Sequence, residues 1–75
     1  MKVVRSDLKN ILNERGKSIR KLAEETDLKF ETLRRMYNDE TKQYNREMLA
    51  KVCENLDITI DQLLILEETK EDATD

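Results

Sequence analysis

Residues 18–38 read SIRKLAEETDLKFETLRRMYN, and this stretch decides the fold. Ser18 is a good N-cap, and the residues after it follow helical periodicity as far as Thr26. The pattern restarts after Lys29, which predicts a second helix over 30–37. The stretch therefore predicts two short helices joined by residues 27–29.

The residues at the predicted junction suit a steep crossing of the two helices. A small residue is needed where they touch, and Ala23 provides it on the first helix. Apolar side chains fill the wedge around Ala23, namely Leu22, Leu28, Leu33 and Met36. These are the requirements of a helix-turn-helix, and they leave the opposite side of the second helix free.

One more helix is predicted before this stretch and two after it. Ser6 is the predicted N-cap of a helix ending at Arg15, and Gly16 supplies the left-handed residue that follows. Asn45 caps another helix, and Thr59 begins the last one in a capping box with Gln62. The predicted core residues of these three helices are Leu8, Ile11, Leu12, Met48, Leu49, Val52, Cys53, Leu56, Ile60, Leu63 and Leu64.

The sequence contains no proline and no alternating apolar and polar run of strand length. The predicted fold class is therefore all-α, with five helices in one domain over residues 1–66. Residues 67–75 are acidic and contain one apolar residue, Ala73, so they are predicted to form a disordered tail.

The net charge of −3 conceals a division along the chain. Residues 1–46 contain 12 Lys and Arg against 8 Asp and Glu, whereas residues 47–75 contain 2 against 9. A basic first part and an acidic second part suit a protein that contacts phosphate on one side only.

Several classes of function are disfavoured by composition. Cys53 is the only cysteine and there is no histidine, so we expect no disulfide, metal site or cofactor. The sequence lacks a plausible catalytic constellation, which argues against an enzyme. The longest apolar run, residues 63–66, predicts no membrane contact. We expect the protein in the cytoplasm of a bacterial or phage-infected cell.

Many residues in one register, rather than any single pair, connect this chain with a known family. They are Leu12, Arg15, Gly16, Ser18, Leu22, Ala23, Thr26, Leu28, Thr32, Leu33, Met36, Asn38, Leu49, Val52, Cys53, Leu56, Ile58, Asp61, Leu63 and Leu64. Over nearly all of residues 4–66 the chain resembles the Cro/C1-type helix-turn-helix family of phage and bacterial repressors. The resemblance implies a lambda-repressor-like domain that binds double-stranded DNA sequence-specifically as a small transcriptional regulator.

The resemblance also implies a set of DNA contacts, with residues 29–37 in the major groove. Base-contacting residues would be Lys29, Phe30, Glu31, Arg34 and Arg35. Backbone-contacting residues would be Lys17, Ser18, Arg20, Thr32, Asn38, Lys42, Tyr44 and Arg46. An arginine can make a bidentate contact to guanine, a glutamate can accept from cytosine N4, and a phenylalanine can touch a thymine methyl.

Other roles stay open for some of these residues. Phe30 could instead pack against the preceding helix or bind a protein, and Glu31 could simply favour the helix N-terminus. Lys29 and the two arginines could form an ordinary solvated helix face. Tyr37 could cover the core edge or reach a phosphate. Asp27 and Asp39 stand where a left-handed residue is expected, a conformation that aspartate tolerates.

Family members usually dimerise, and this chain has apolar residues to spare for an interface. We expect a homodimer joined through Ile58, Ile65 and Leu66. The alternative function is a helix-turn-helix used as a protein-interaction module, such as an antirepressor or a regulator subunit. Its contacts would come from Phe30, residues 65–66 or the acidic residues 67–75.

Overall fold

The computed structural model of the chain describes residues 1–68. Their elements, in order, are β1 (Lys2–Ser6), α1 (Leu8–Arg15), α2 (Ile19–Thr26), α3 (Phe30–Tyr37), α4 (Arg46–Leu56), α5 (Ile60–Leu63) and β2 (Leu64–Glu68). The predicted bounds of the two helices in the helix-turn-helix are confirmed, because α2 and α3 occupy them residue for residue.

The predicted caps of α2 and α4, and the predicted left-handed residue after α1, are present where the sequence places them. Gly16 follows α1 in the left-handed conformation, with φ of 64°. Ser18 Oγ accepts a hydrogen bond from Lys21 N at 3.0 Å and so caps α2. Asn45 Oδ1 accepts from Met48 N at 3.2 Å at the start of α4. These bonds satisfy amide groups that a helix leaves unpaired in its first turn.

The all-α prediction is wrong, because the described residues also contain a two-stranded antiparallel sheet. β1 pairs with β2 in a register that runs from Lys2 opposite Glu68 to Ser6 opposite Leu64. Each strand has five residues, and the pairing joins opposite ends of the described chain. Such a ladder depends on long-range contacts rather than on a local pattern. We call this pair of strands the ribbon.

The ribbon changes how α1 begins. Ser6 was predicted to be the N-cap of α1, but it is the last residue of β1. Asp7 occupies the cap position instead, without a side-chain capping bond. Ser6 still contributes, because its Oγ accepts from Leu8 N at 3.3 Å. Asp7 N donates to Leu63 O at 2.8 Å, which joins the end of β1 to the end of α5.

The ribbon also changes the end of the described chain. Leu64 begins β2 and is not part of α5, which is a single turn. Ile65 and Leu66 therefore lie on a strand rather than on a helix face. Glu67 and Glu68 belong to β2, whereas the rest of the predicted acidic tail, residues 69–75, lies outside the described residues.

The core combines residues from all five helices of the described chain. Its buried members are Leu8, Ile11, Leu12, Leu22, Leu33, Met36, Met48, Val52, Leu56 and Leu63. Ala23 and Leu28 are half-buried against this core, as the helix crossing requires. Ile60 was predicted to be buried and is instead exposed, because the one turn of α5 directs Leu63 inward.

Three aspartates among residues 1–68 adopt the left-handed conformation, and one of them also joins two parts of the fold. Asp27, Asp39 and Asp57 have φ of 61°, 60° and 55°, which confirms the expectation for Asp27 and Asp39. Asp39 Oδ1 also accepts a hydrogen bond from Ser6 N at 2.9 Å. The loop after α3 is therefore fixed to the end of β1.

Replacing these aspartates by glycine should separate backbone strain from side-chain bonding. Asp27→Gly should raise the free energy of unfolding by about 0.5–1 kcal/mol, because glycine adopts positive φ without steric cost. Asp39→Gly should instead lower it by about 1 kcal/mol, because Ser6 N loses a charged acceptor. Urea denaturation of both variants measures the difference; an equal rise in both would show that the Asp39 carboxylate does not stabilise the fold.

Candidate nucleic-acid interface

The exposed side of α3 is set by the residues that the helix buries. Leu33 and Met36 are fully buried, so helical periodicity directs Glu31 to the middle of the opposite side. Arg34 and Arg35 lie to either side of Glu31, and Phe30 lies at the start of the helix. We call Phe30, Glu31, Arg34 and Arg35 the α3 face. It carries the charged and aromatic side chains that base readout uses.

The charged groups of the α3 face pair with one another. Arg34 Nε donates to Glu31 Oε1 at 3.0 Å, and Arg34 Nη2 donates to Glu31 Oε2. Arg35 Nε lies 3.6 Å from Glu31 Oε2, and Arg34 Nη1 lies 3.9 Å from Glu40 Oε1. The Arg34 hydrogen bonds hold the pKa of Glu31 below its ordinary value, and they raise the pKa of Arg34.

A depression lies beside α3 where α2 begins. It has a volume of about 370 Å³, and its lining residues are Asn13, Lys17, Ser18, Ile19, Arg20, Phe30 and Tyr37. Amide groups in the first turn of α2 are candidate phosphate donors, since the start of a helix favours an anion. Arg20 is exposed at the same end of α2 and adds positive charge.

A larger depression of about 660 Å³ lies between α3, the loop that follows it and the start of α4. Its lining residues are Thr32, Arg34, Arg35, Glu40, Thr41, Lys42, Gln43, Asn45 and Met48. Phe30 and Tyr37 are seven residues apart and share one side of α3, whereas Thr32 lies on the other side. The α3 face is therefore bordered by a depression on each side.

The family comparison agrees with this geometry. The model of the Cro/C1-type helix-turn-helix DNA-binding domain matches residues 7–69. The chain belongs to this family. Family membership implies a DNA partner, and the family is typically non-enzymatic.

A solved structure supports the same conclusion for the fold. The Cro/C1-type domain described here is similar to a crystal structure of a proposed DNA-binding protein from Bacteroides fragilis. The two are 29% identical with a TM-score of 0.72, and the match covers 83% of this chain and 98% of the other. No curated protein matches the chain. Within residues 1–68, no helix has the length and apolar character needed to cross a membrane.

Most of the predicted DNA-contacting residues of this Cro/C1-type domain lie on or beside the α3 face. Lys29 is exposed immediately before α3, and Asn38 is exposed immediately after it. Lys42 is exposed on the wall of the larger depression, and Arg46 is exposed at the start of α4. Thr32 is half-buried on the wall of that depression.

Lys17 is placed differently from the other predicted backbone contacts. Its Nζ donates to Glu25 Oε1 at 2.6 Å and to Asn55 Oδ1 at 3.0 Å. The Lys17 bond lowers the pKa of Glu25. Lys17 therefore joins the loop before α2 to α2 itself and to α4. The local sequence pattern contains no signal for this bridge, because Asn55 lies 38 positions away.

Tyr44 is also more enclosed than a phosphate contact requires. Its ring packs against the core, and its hydroxyl is shielded from solvent without a hydrogen-bond partner in the described residues. Burial raises the pKa of Tyr44, and the charge of Asp39 acts in the same direction. A phosphate contact through this hydroxyl would require the loop around it to open.

The structure also bears on the residues with open alternatives. Tyr37 packs against the core and donates to Asn13 Oδ1 at 3.3 Å, so it covers the core edge. Phe30 is 44% exposed at the rim of the smaller depression, which leaves much of its ring accessible to a partner. Cys53, which was predicted to be a core residue, is half-buried against the core, and burial raises the pKa of its thiol.

Proposed function

We propose that this Cro/C1-type domain binds double-stranded DNA sequence-specifically and acts as a small transcriptional regulator of the repressor type. The observation that carries the proposal is the α3 face, with base-reading side chains exposed and a depression on each side. A helix placed in the major groove meets one phosphate backbone on each side, and the two depressions suit those backbones.

The proposed contacts follow from where the side chains lie. Lys29, Phe30, Glu31 and Arg35 face the base edges. The amides near Ser18 together with Arg20 meet one phosphate backbone, and Thr32, Asn38, Lys42 and Arg46 meet the other. The proposal reduces the roles of Lys17 and Tyr44, because the first is bound by Glu25 and the second is enclosed. The regulator would act in the cytoplasm of a bacterial or phage-infected cell.

Selection from random duplexes at low salt tests this function. The protein should enrich one motif, and its affinity for that motif should fall roughly a thousandfold between about 50 and 200 mM salt if about six phosphates are contacted. Electrophoretic mobility shifts over this salt range measure the slope. Recovery of unenriched sequences at low salt would contradict the proposal.

We also propose that the regulator is a homodimer that uses the ribbon. Two recognition helices reach successive major grooves when they lie about 34 Å apart. Of the predicted interface residues, Ile58 packs against the core and Ile65 is half-buried, while Leu66 is 62% exposed. Val4 is directly opposite Leu66 in the ribbon and is 53% exposed. A second copy would cover this apolar pair.

Leu66→Asp should therefore convert the dimer to a monomer, because a carboxylate would replace the apolar contact. Sedimentation velocity at micromolar concentration measures the mass. Phe30→Asp is the control, because it adds the same charge at another exposed apolar residue, on the α3 face, and should leave the mass unchanged. A wild-type protein that sediments as a monomer would contradict the proposed dimer.

One observation favours a second candidate function, the protein-interaction module. Phe30 exposes an aromatic ring on the same helix face as the paired charges of Glu31 and Arg34, an arrangement that also suits a protein surface. A protein partner would bind with a much weaker dependence on salt than DNA does. Selection from random duplexes separates the two functions, because a protein-interaction module should enrich no motif.

A further inference from the structure

Glu31 contacts the two arginines of the α3 face unequally. It binds Arg34 through both carboxylate oxygens, with the Nε bond at 3.0 Å. Arg35 Nε is 3.6 Å away, which is longer than a hydrogen bond. Exposure differs in the same direction, since 62% of the Arg35 side chain is accessible and 38% of the Arg34 side chain. Arg34 is therefore fixed by two hydrogen bonds, whereas Arg35 makes the longer ion pair and keeps more of its side chain accessible to a partner.

The difference matters because arginine reads guanine with a pair of parallel donors. The Nε and Nη2 donors of Arg34 form such a pair, and Glu31 occupies both. The carboxylate is also an acceptor, so it repels the O6 and N7 acceptors of any guanine that approaches Arg34. Arg35 keeps its donors accessible on the same helix face.

We propose that Glu31 is a specificity-determining residue, which fixes Arg34 by a two-point contact and so leaves Arg35 to select guanine. The inference rests on the proposed DNA binding and adds that the charged residues of the α3 face have different roles. Glu31 itself then faces the base edges as an acceptor. It favours a base that presents a donor there, such as cytosine with its N4 amino group.

Loss of the carboxylate should increase binding and decrease selectivity. A released Arg34 would be a long flexible cation that can contact a phosphate next to any sequence, and phosphate contacts carry no sequence information. Affinity for unrelated duplex should therefore rise while affinity for the selected site changes less. The effect of Glu31 is therefore measured by the specificity ratio, which is the affinity for the selected site divided by the affinity for an unrelated duplex.

The experiment compares Glu31→Gln and Glu31→Asp in the full chain. Glu31→Gln should raise affinity for an unrelated duplex about tenfold, lower the specificity ratio by a similar factor and steepen the salt slope by about one. Glu31→Asp keeps the charge but has a shorter reach, so it should also lower the ratio. Circular dichroism confirms that both variants are folded.

Glu54→Gln is the matched control for charge. Glu54 is exposed on α4, beside Lys51 and Asn55 and away from the α3 face. The control removes the same charge and should leave the selected motif and the specificity ratio unchanged. An equal effect of Glu54→Gln would assign the Glu31 result to net charge and overturn the proposal.

Other outcomes distinguish this inference from the proposed function. If the wild-type protein selects a motif and both Glu31 variants keep its specificity ratio and salt slope, DNA binding stands and the role of Glu31 is refuted. If Glu31→Asp alone behaves as wild type, a two-point hold on Arg34 is refuted. If the wild-type protein selects no motif, the proposed function fails and this inference fails with it.

Discussion

Leu33→Ala should lower the free energy of unfolding by about 2–5 kcal/mol, the range found when a buried leucine is truncated. Leu33 is fully buried in α3, in a core of ten residues. A domain of this size is stabilised by only about 4–11 kcal/mol, so the variant should lose a large share of its total stability. Urea denaturation followed by circular dichroism measures the loss.

Ile60→Ala is the control for this prediction. Ile60 is a comparable apolar residue that α5 leaves exposed, so its truncation should change the free energy of unfolding by less than about 0.5 kcal/mol. Comparable decreases in the free energy of unfolding of Leu33→Ala and Ile60→Ala would mean that α3 does not pack against the core as described. DNA binding by Leu33→Ala should fall in proportion to its unfolded fraction, since the α3 face exists only on the folded helix.

The helices could be predicted because their signals are local. The Ser18 and Asn45 caps, and Gly16 after α1, mark helix ends within one turn of the residues they affect. The buried sides of α2, α3 and α4 follow from apolar periodicity in the same segments. Each decision needs only a few consecutive residues.

The ribbon could not be predicted in this way, because its stability lies in contacts between distant residues. Val3 and Val4 are adjacent and so point to opposite faces of β1, which gives no alternation to detect. Leu66 reads equally well as part of a helix until its partner Val4, 62 positions away, is known. The burial of Ser6 likewise depends on this pairing rather than on a local cap.

At the candidate interface, the sequence predicts which residues lie on the exposed side of α3, but it does not predict which of their side chains pair with one another. Helical periodicity places Glu31, Arg34 and Arg35 on one side without any structure. Whether Glu31 prefers Arg34 or Arg35 depends on rotamers that sequence spacing does not determine, since three and four positions are both within reach. The contacts of Lys17 could not be predicted from sequence either, because its partners Glu25 and Asn55 lie in α2 and α4.

Arg35→Ala should sharply lower the site preference of the protein. Arg35 is the more exposed arginine of the α3 face, and its donors are the ones that Glu31 leaves accessible to a guanine. Loss of one bidentate base contact should lower affinity for the selected motif about 10- to 100-fold. Affinity for unrelated duplex should change far less. Competition between the two duplexes at one salt concentration measures the specificity ratio directly.

Arg46→Ala separates base readout from phosphate contact. Arg46 is the exposed first residue of α4, and its proposed contact is to the phosphate backbone. Its removal should weaken binding to all duplexes alike and reduce the salt slope by about one, while the selected motif stays the same. If Arg35→Ala behaves in this way as well, Arg35 contacts phosphate. The base-reading role would then pass to other residues of the α3 face.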